Sequence, residues 1–131
     1  MSPGVAARRR TGAVLSTAYP SPHAAYTRSM PSIAQLEKLL ALDPADAFVL
    51  YGLAMEHAKS GQIDHAMTYF DRCTAADPAY CYAYFHKARV QSEAGRTSDA
   101  IETLNRGLIA AKAAGDAHAM SEMRELLDQL G

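Results

Sequence analysis

The sequence predicts an all-α fold of stacked helical hairpins, and three observations predict it. Displaced by 34 positions, the stretch from Pro44 to Gly107 repeats itself: Asp43-Pro44 falls on Asp77-Pro78, Phe48 on Tyr82, Tyr51 on Phe85, Ala54 on Ala88, Gly61 on Gly95, Ala66 on Ala100, Met67 on Ile101 and Phe70 on Leu104. Each coincidence keeps a residue's size or its backbone role, and a fixed period of this length is the signature of a helical hairpin array. Second, Ala, Leu, Met, Glu and Lys dominate the second half, all of them good helix formers. Third, strand-type alternation of apolar and polar residues is absent, and the chain has no Trp.

A length of 131 residues suits one domain. With 49% hydrophobic residues, a packed core forms only if the chain is compact or stacked. The formal net charge of −1 conceals an asymmetry. Residues 1–36 hold Arg8, Arg9, Arg10 and Arg28 and no acidic residue, leaving nine basic against fourteen acidic residues, a net of −5, for the rest. A mildly acidic folded part argues against nucleic acid as a partner, because phosphate binding needs a basic face. No apolar run is long enough to cross a bilayer, so membrane insertion is not expected. The two cysteines, Cys73 and Cys81, are too few for a disulfide framework. Both stand where the hairpin pattern wants a small buried residue, which predicts reduced core thiols. A local bridge across the Asp77-Pro78 turn is the alternative.

The helical pattern is preceded by residues 1–31, which read as a disordered leader or tail. Pro3, Gly4, Gly12, Pro20, Pro22 and Pro31 punctuate it, and no apolar period persists long enough to pack. Three roles stay open. Met30 stands directly before the helical pattern, as a true start lying downstream of the first methionine would. An Arg- and Ser-rich stretch without acids resembles an organellar transit peptide, and Ala13 to Ala18 are a faint echo of a secretory signal, which would make residues 1–29 a targeting segment. The third role is a basic arm.

The helices follow in order. Ser32 is an N-cap with Gln35 in the capping-box position, and Ile33, Leu36, Leu39, Leu40 and Leu42 give one apolar face. Asp43-Pro44 closes this helix and opens the next, from about Ala45 to Lys59, with Pro in the first turn and Asp as the cap. Gly61 ends that helix through a left-handed conformation. A helix from about Ile63 to Ala76 carries Ala66, Phe70 and Cys73 inward. Residues 80–94 mirror 46–60, Gly95 mirrors Gly61, and Thr97 is the expected cap of the helix that follows. Lys112 stands where a third Pro is due, so that helix continues to Gly115. Asp116 caps a last helix with Ala119, Met120, Met123, Leu126, Leu127 and Leu130 as its apolar stripe, which makes six helices, each antiparallel to its neighbour.

These residues resemble the tetratricopeptide repeat, in which Leu-Gly or Leu-Ala, Tyr, Gly, Ala, Phe, Ala and Pro recur at fixed offsets. The first unit, about 47–80, supplies Leu50, Leu53-Ala54, His57, Gly61, Ala66, Phe70, Cys73 and Pro78. The second, about 81–114, supplies Tyr84, Ala88, Gly95, Ala100, Leu104 and Gly107, but has Lys87 and Gln91 where Leu and Tyr are usual. The resemblance implies a right-handed α-solenoid of antiparallel hairpins over residues 32–131, with the flanking helices 32–42 and 116–130 as half-units. Small Ala54 and Ala66 then mark the close approach of paired helices, and Phe70 fills the space between hairpins.

For function, the resemblance implies a scaffold or adaptor that binds a peptide or helix of a partner protein in a concave groove. The first helix of each unit lines that groove: Phe48, Tyr51, Met55 and Lys59 from the first unit, Tyr82, Phe85, His86 and Arg89 from the second. The last helix adds Asp116 and Met120. Aromatic residues with a few cations make a binding surface. Some members clamp a carboxylate with Lys, Asn and Arg, but the corresponding positions here are Tyr51, Met55, His86, Asp116 and Met120, which do not suit it. The alternative is a self-associating structural or assembly-factor subunit that uses Met120, Met123, Leu127 and Leu130 of the last helix. The expected state is a monomer or a weak homodimer.

Catalysis has no support in the residues. No phosphate loop, nucleophile elbow or Gly-rich dinucleotide turn occurs, nor any HxxxH or CxxC spacing among the five histidines and two cysteines. No metal, cofactor or catalytic residue is therefore expected. Free thiols and an acidic fold favour the cytoplasm, with import or export as the alternative if the leader is a targeting segment.

Overall fold

Short polar junctions fix where the helices of this chain begin and end. A computed structural model describes residues 31–131, so the expected leader and its open roles lie outside the described residues, apart from Pro31. The helices are α1 (Ile33–Leu42), α2 (Ala47–Lys59), α3 (Ile63–Ala76), α4 (Cys81–Glu93), α5 (Thr97–Ala114) and α6 (Ala117–Leu130). No strand occurs among the described residues. At the start of α1 the capping box is complete: Gln35 N donates to Ser32 Oγ at 3.1 Å, and Ser32 N donates to Gln35 Oε1 at 2.8 Å.

The Asp-Pro junctions differ from expectation. α2 starts at Ala47 rather than Ala45, and its cap is Asp46, whose Oδ1 accepts from Phe48 N and Val49 N at 3.1 and 3.3 Å. Asp43 folds the connecting turn instead, accepting from Ala45 N at 3.2 Å, and Asp77 does the same for Ala79 N at 3.1 Å. An aspartate that bonds the amide two residues on, followed by a φ-restricted proline, is a turn former. Thr97 is likewise not a cap but the first residue of α5, behind Arg96, which makes no capping bond through its side chain.

Three glycines close helices in one way. Gly61, Gly95 and Gly115 have φ of +79°, +81° and +70°, the left-handed region that a Cβ disfavours. Behind each, the next amide reaches back into the helix just ended: Gln62 N to His57 O at 2.9 Å, Arg96 N to Gln91 O at 2.8 Å, and Asp116 N to Ala111 O at 2.9 Å. Asp116 then caps α6, accepting from Ala119 N at 3.0 Å.

Each helix packs on the next in sequence, and α2 also touches α4, as α4 touches α6. The odd and even helices therefore form two layers, the even ones side by side on one face. Two apolar clusters fill the stack. The first joins Leu50, Tyr51 and Ala54 of α2 to Ala66, Phe70 and Cys73 of α3 and to Ala83 of α4. The second joins Cys81 and Ala88 of α4 to Ala100, Leu104 and Ala111 of α5 and to Ala119 and Met123 of α6. Ala54, Ala66, Ala88 and Ala100 are fully buried, where a larger side chain would hold the helices apart. Phe70 is fully buried as well, with its ring edge-on to Tyr51 at 6.5 Å.

At Gly107 of α5, α4 and α6 come within contact of the bare backbone. A Cβ added to Gly107 would sit 2.7 Å from Met123 Sδ and 2.8 Å from the Cβ of Tyr84. Gly107→Ala gains about 1 kcal/mol in helix propensity, but overpacking of about 1–3 kcal/mol opposes it. Met123 can swing away, whereas the Tyr84 Cβ is fixed to its backbone. Overpacking should win, and denaturant titration should show a lower midpoint for Gly107→Ala than for the native chain.

Candidate partner-binding groove

The face built by α2, α4 and α6 gathers most of the residues expected to bind. On α2, Phe48, Tyr51, Met55 and Lys59 are spaced by three and four residues, which puts them on one stripe. On α4, Tyr82, Phe85 and Arg89 stand at the positions of Phe48, Tyr51 and Met55, and His86 lies beside them. Their exposures differ. Lys59 and Arg89 reach solvent, Tyr82 is 37% exposed, and Phe48, Met55, Phe85 and His86 are half-buried. Tyr51 is only 5% exposed, so it serves as the floor of the groove.

An aromatic row runs across this floor. The Tyr51 ring lies 5.3 Å from Tyr80 and 5.8 Å from His86, and His86 stacks on Tyr82 at 6.2 Å and meets Phe85 edge-on at 5.3 Å. Tyr80 is a member that the sequence pattern missed, because it precedes α4 where the first unit has the cap Asp46. Burial, then the nearby Cys73 and Tyr82, push the Tyr51 hydroxyl well above the ordinary tyrosine range. Phe85 turns partly away from the row to pack against the second apolar cluster, together with Met120. Asp116 is occupied as the cap of α6.

Beside the row, where α2 and α4 end, lies a recess of ≈ 400 Å³. Met55, Ala58 and Lys59 of α2, Ile63 of α3, and His86, Arg89, Val90 and Glu93 of α4 line it. Ala58, Ile63, Val90 and Glu93 were not among the expected site residues, although Glu93 stands at the position of Lys59 in the second unit.

The stripe expected to self-associate differs in depth along its length. Met123 is fully buried against Gly107, and Met120, Leu127 and Leu130 are half-buried against the second cluster. Met123 is therefore a core residue, not a surface one. The outer side of α6 presents Arg124, Glu125 and Asp128 to solvent. Among the described residues no group of three or more His, Cys, Asp or Glu is placed to hold a metal ion, and no helix is long and apolar enough to cross a membrane.

Comparison with known proteins bears on this arrangement. A tetratricopeptide repeat family model matches residues 57–124. A TPR repeat-containing protein of Pseudomonas aeruginosa is 30% identical over 95 residues, which cover 72% of this chain and 90% of that protein. The chain belongs to the tetratricopeptide repeat family. The solution structure of a tetratricopeptide repeat domain protein from Salinibacter ruber is similar, with 32% identity, a TM-score of 0.62, and coverage of 67% of this chain and 89% of that one. The TPR2B domain of yeast Sti1, solved in a complex with pHsp70, shares the fold at 20% identity and a TM-score of 0.69, covering 75% of this chain and 78% of that one.

The departures from the tetratricopeptide pattern have local partners. Lys87, in the place of Leu, reaches Asp71 of α3 at 2.6 Å, and Gln91, in the place of Tyr, accepts a buried bond from Thr103 Oγ1 at 2.7 Å. His57 occupies the corresponding Tyr position in the first unit. Its Nδ1 lies 3.0 Å from Gln62 Oε1, and its ring stacks on Tyr69 at 5.2 Å.

Both cysteines are free and buried. Cys73 Sγ donates to Ala47 O at 3.2 Å and Cys81 Sγ to Ala79 O at 3.4 Å. Burial, and secondarily Asp77, push the Cys73 thiol up from its ordinary 9.0 to about 12. Burial, with Asp116 and Asp77 behind it, also raises Cys81. Such thiols are poor nucleophiles at neutral pH. The unfolded chain ionises Cys73 near pH 9, whereas the folded chain holds it neutral towards pH 12. Its contribution to stability is therefore fully present below the lower value and is lost as pH rises through that window. A urea-midpoint series across the window should fall with pH and fall less steeply for Cys73→Ala; equal slopes would contradict the assignment.

Proposed function

We propose that this chain is a protein-interaction scaffold that holds an extended peptide or a helix of a partner protein against the face of α2, α4 and α6. The observation that carries the reading is the aromatic row of Tyr51, Tyr80, His86 and Tyr82, set beside an open recess with cations at its rim. Rigid aromatic surface of this kind contributes strongly to binding at little cost in side-chain entropy. The similar fold of the Sti1 domain, described in complex with pHsp70, supports the same use of the stack. The chain itself is assigned no catalytic step; chemistry in any assembly it joins belongs to the partner. The polar outer side of α6 favours a monomer over self-association through that helix. The reduced, buried thiols favour the cytoplasm.

Tyr82→Ala removes exposed aromatic surface without touching either cluster. Affinity-tagged native chain purified from its own host should retain a protein that Tyr82→Ala loses, while the two melt at the same temperature. An identical set of co-purifying proteins would contradict the groove.

A further inference from the structure

A second recess opens where α5 overruns the junction between α3 and α4. Lys112 stands 34 positions after Pro78, and without a proline there α5 runs to 18 residues against the 14 of α3. The overhanging turn brings Ala113 and Ala114 alongside Pro78 and Ala79, with Ile109 of α5 and the Tyr84 ring of α4 in the same lining. Tyr84 is tied in place, because its hydroxyl donates to Pro78 O at 3.3 Å. Ile109 is 72% exposed, an apolar surface that a ligand would cover. The volume is ≈ 380 Å³, inside the roughly 300–1,000 Å³ of ligand pockets. No member of the aromatic row lines this recess, and neither does Lys59 or Arg89.

Its charge has one sign. Arg106 is the one charged residue in the lining among the described residues, and it makes no hydrogen bond or ion pair with any of them. Asp77, next to Pro78, turns its Oδ1 to its own junction and accepts there from Ala79 N at 3.1 Å. Burial, then Cys81, raise the Tyr84 hydroxyl above its ordinary range; Arg106 opposes them, ahead of smaller pushes from Cys73 and Asp77. The guanidinium therefore stands near the phenol and outweighs the carboxylate there.

We propose that this recess binds a small carboxylic acid as its anion, with a one- or two-ring or branched aliphatic body against Ile109, Ala113 and Tyr84 and the carboxylate on Arg106. A planar guanidinium offers two parallel N–H donors, which suits a single carboxylate. A cationic ligand would meet Arg106 with no acid in the lining to offset it, and a neutral one would leave the guanidinium without a partner. The site differs from the groove in both place and ligand: a free small molecule rather than a segment of protein.

Amide chemical-shift mapping by NMR, with the isotope-labelled full chain titrated with naphthoate, tests this. The amides of Ala79, Ile109, Ala113 and Ala114 should move. Neutral naphthamide should bind about tenfold more weakly, the loss expected for one charge-assisted bond. Acetate, which has no body to bury, should not displace naphthoate at equal concentration. Arg106→Gln should lower the affinity for naphthoate to that for naphthamide. Ala113→Trp, at an exposed position, should fill the recess and abolish binding, while Tyr82→Ala in the groove should leave it unchanged. Circular dichroism of each variant establishes that it is folded. Equal affinity for naphthoate and naphthamide, undiminished binding to Arg106→Gln or Ala113→Trp, shifts confined to the face of α2, α4 and α6, or no shift at all overturns the proposal. The scaffold reading is untouched by any of these outcomes, because the co-purification with Tyr82→Ala tests it separately.

Discussion

Each hairpin of this chain leaves an apolar flank that it cannot cover alone, and the structure depends on the neighbour that covers it. Phe70 makes the point. It belongs to α3, yet its cluster takes in Tyr51 of α2 and Ala83 of α4, so the first hairpin's core closes only when the second is present. α4 is the shared wall: Ala83 faces one cluster, and Cys81 and Ala88 face the other. Repeat arrays owe their stability to such interfaces between neighbours as well as to the units themselves. Fully buried alanines at the crossings allow the helices close enough for those interfaces to pack.

The candidate groove is a by-product of that stacking. With the even helices side by side, residues three and four apart on α2 and α4 align into adjoining stripes, and the floor is laid by the same Tyr51 that packs against Phe70. The recess opens where Gly61 and Gly95 end α2 and α4, because the chain turns away there and leaves Met55, Val90 and Ile63 without a cover from the next residue along. The stabilising core and the candidate groove therefore share residues. A substitution at Tyr51 alters both, while Tyr82, Lys59 and Arg89 belong to neither buried cluster.

Much of the fold was legible because the period is carried by residues with strong backbone or size requirements. Gly61 and Gly95 predict their helix ends, Lys112 in place of Pro predicts the long α5, and Ser32 with Gln35 predicts the opening cap. The starts of α2 and α5 were less legible. Asp43 and Asp46 are both good caps, and only the turn geometry decides between them; Thr97 is a good cap by type, but it already lies inside the helix, behind Arg96. For the candidate groove, the stripe spacing put its residues on one face but did not give their depth. Tyr51 and Met123 turn inward, and Tyr80 joins the row from outside the repeat, because side-chain depth depends on what the next hairpin places opposite. Lys87 and Gln91 read as weak points of the second unit until Asp71 and Thr103 are seen across from them.

Amide hydrogen exchange of the full chain with Phe70→Ala, followed residue by residue, is the sharpest test of a stack held together from hairpin to hairpin. Emptying that position removes about 3–5 kcal/mol of packing. Protection should fall in α4 and α5 along with α2 and α3, although the substituted side chain belongs to α3 alone. Loss confined to α2 and α3, with α4 to α6 protected as before, would mean that the hairpins stand independently and that the shared wall does not couple them.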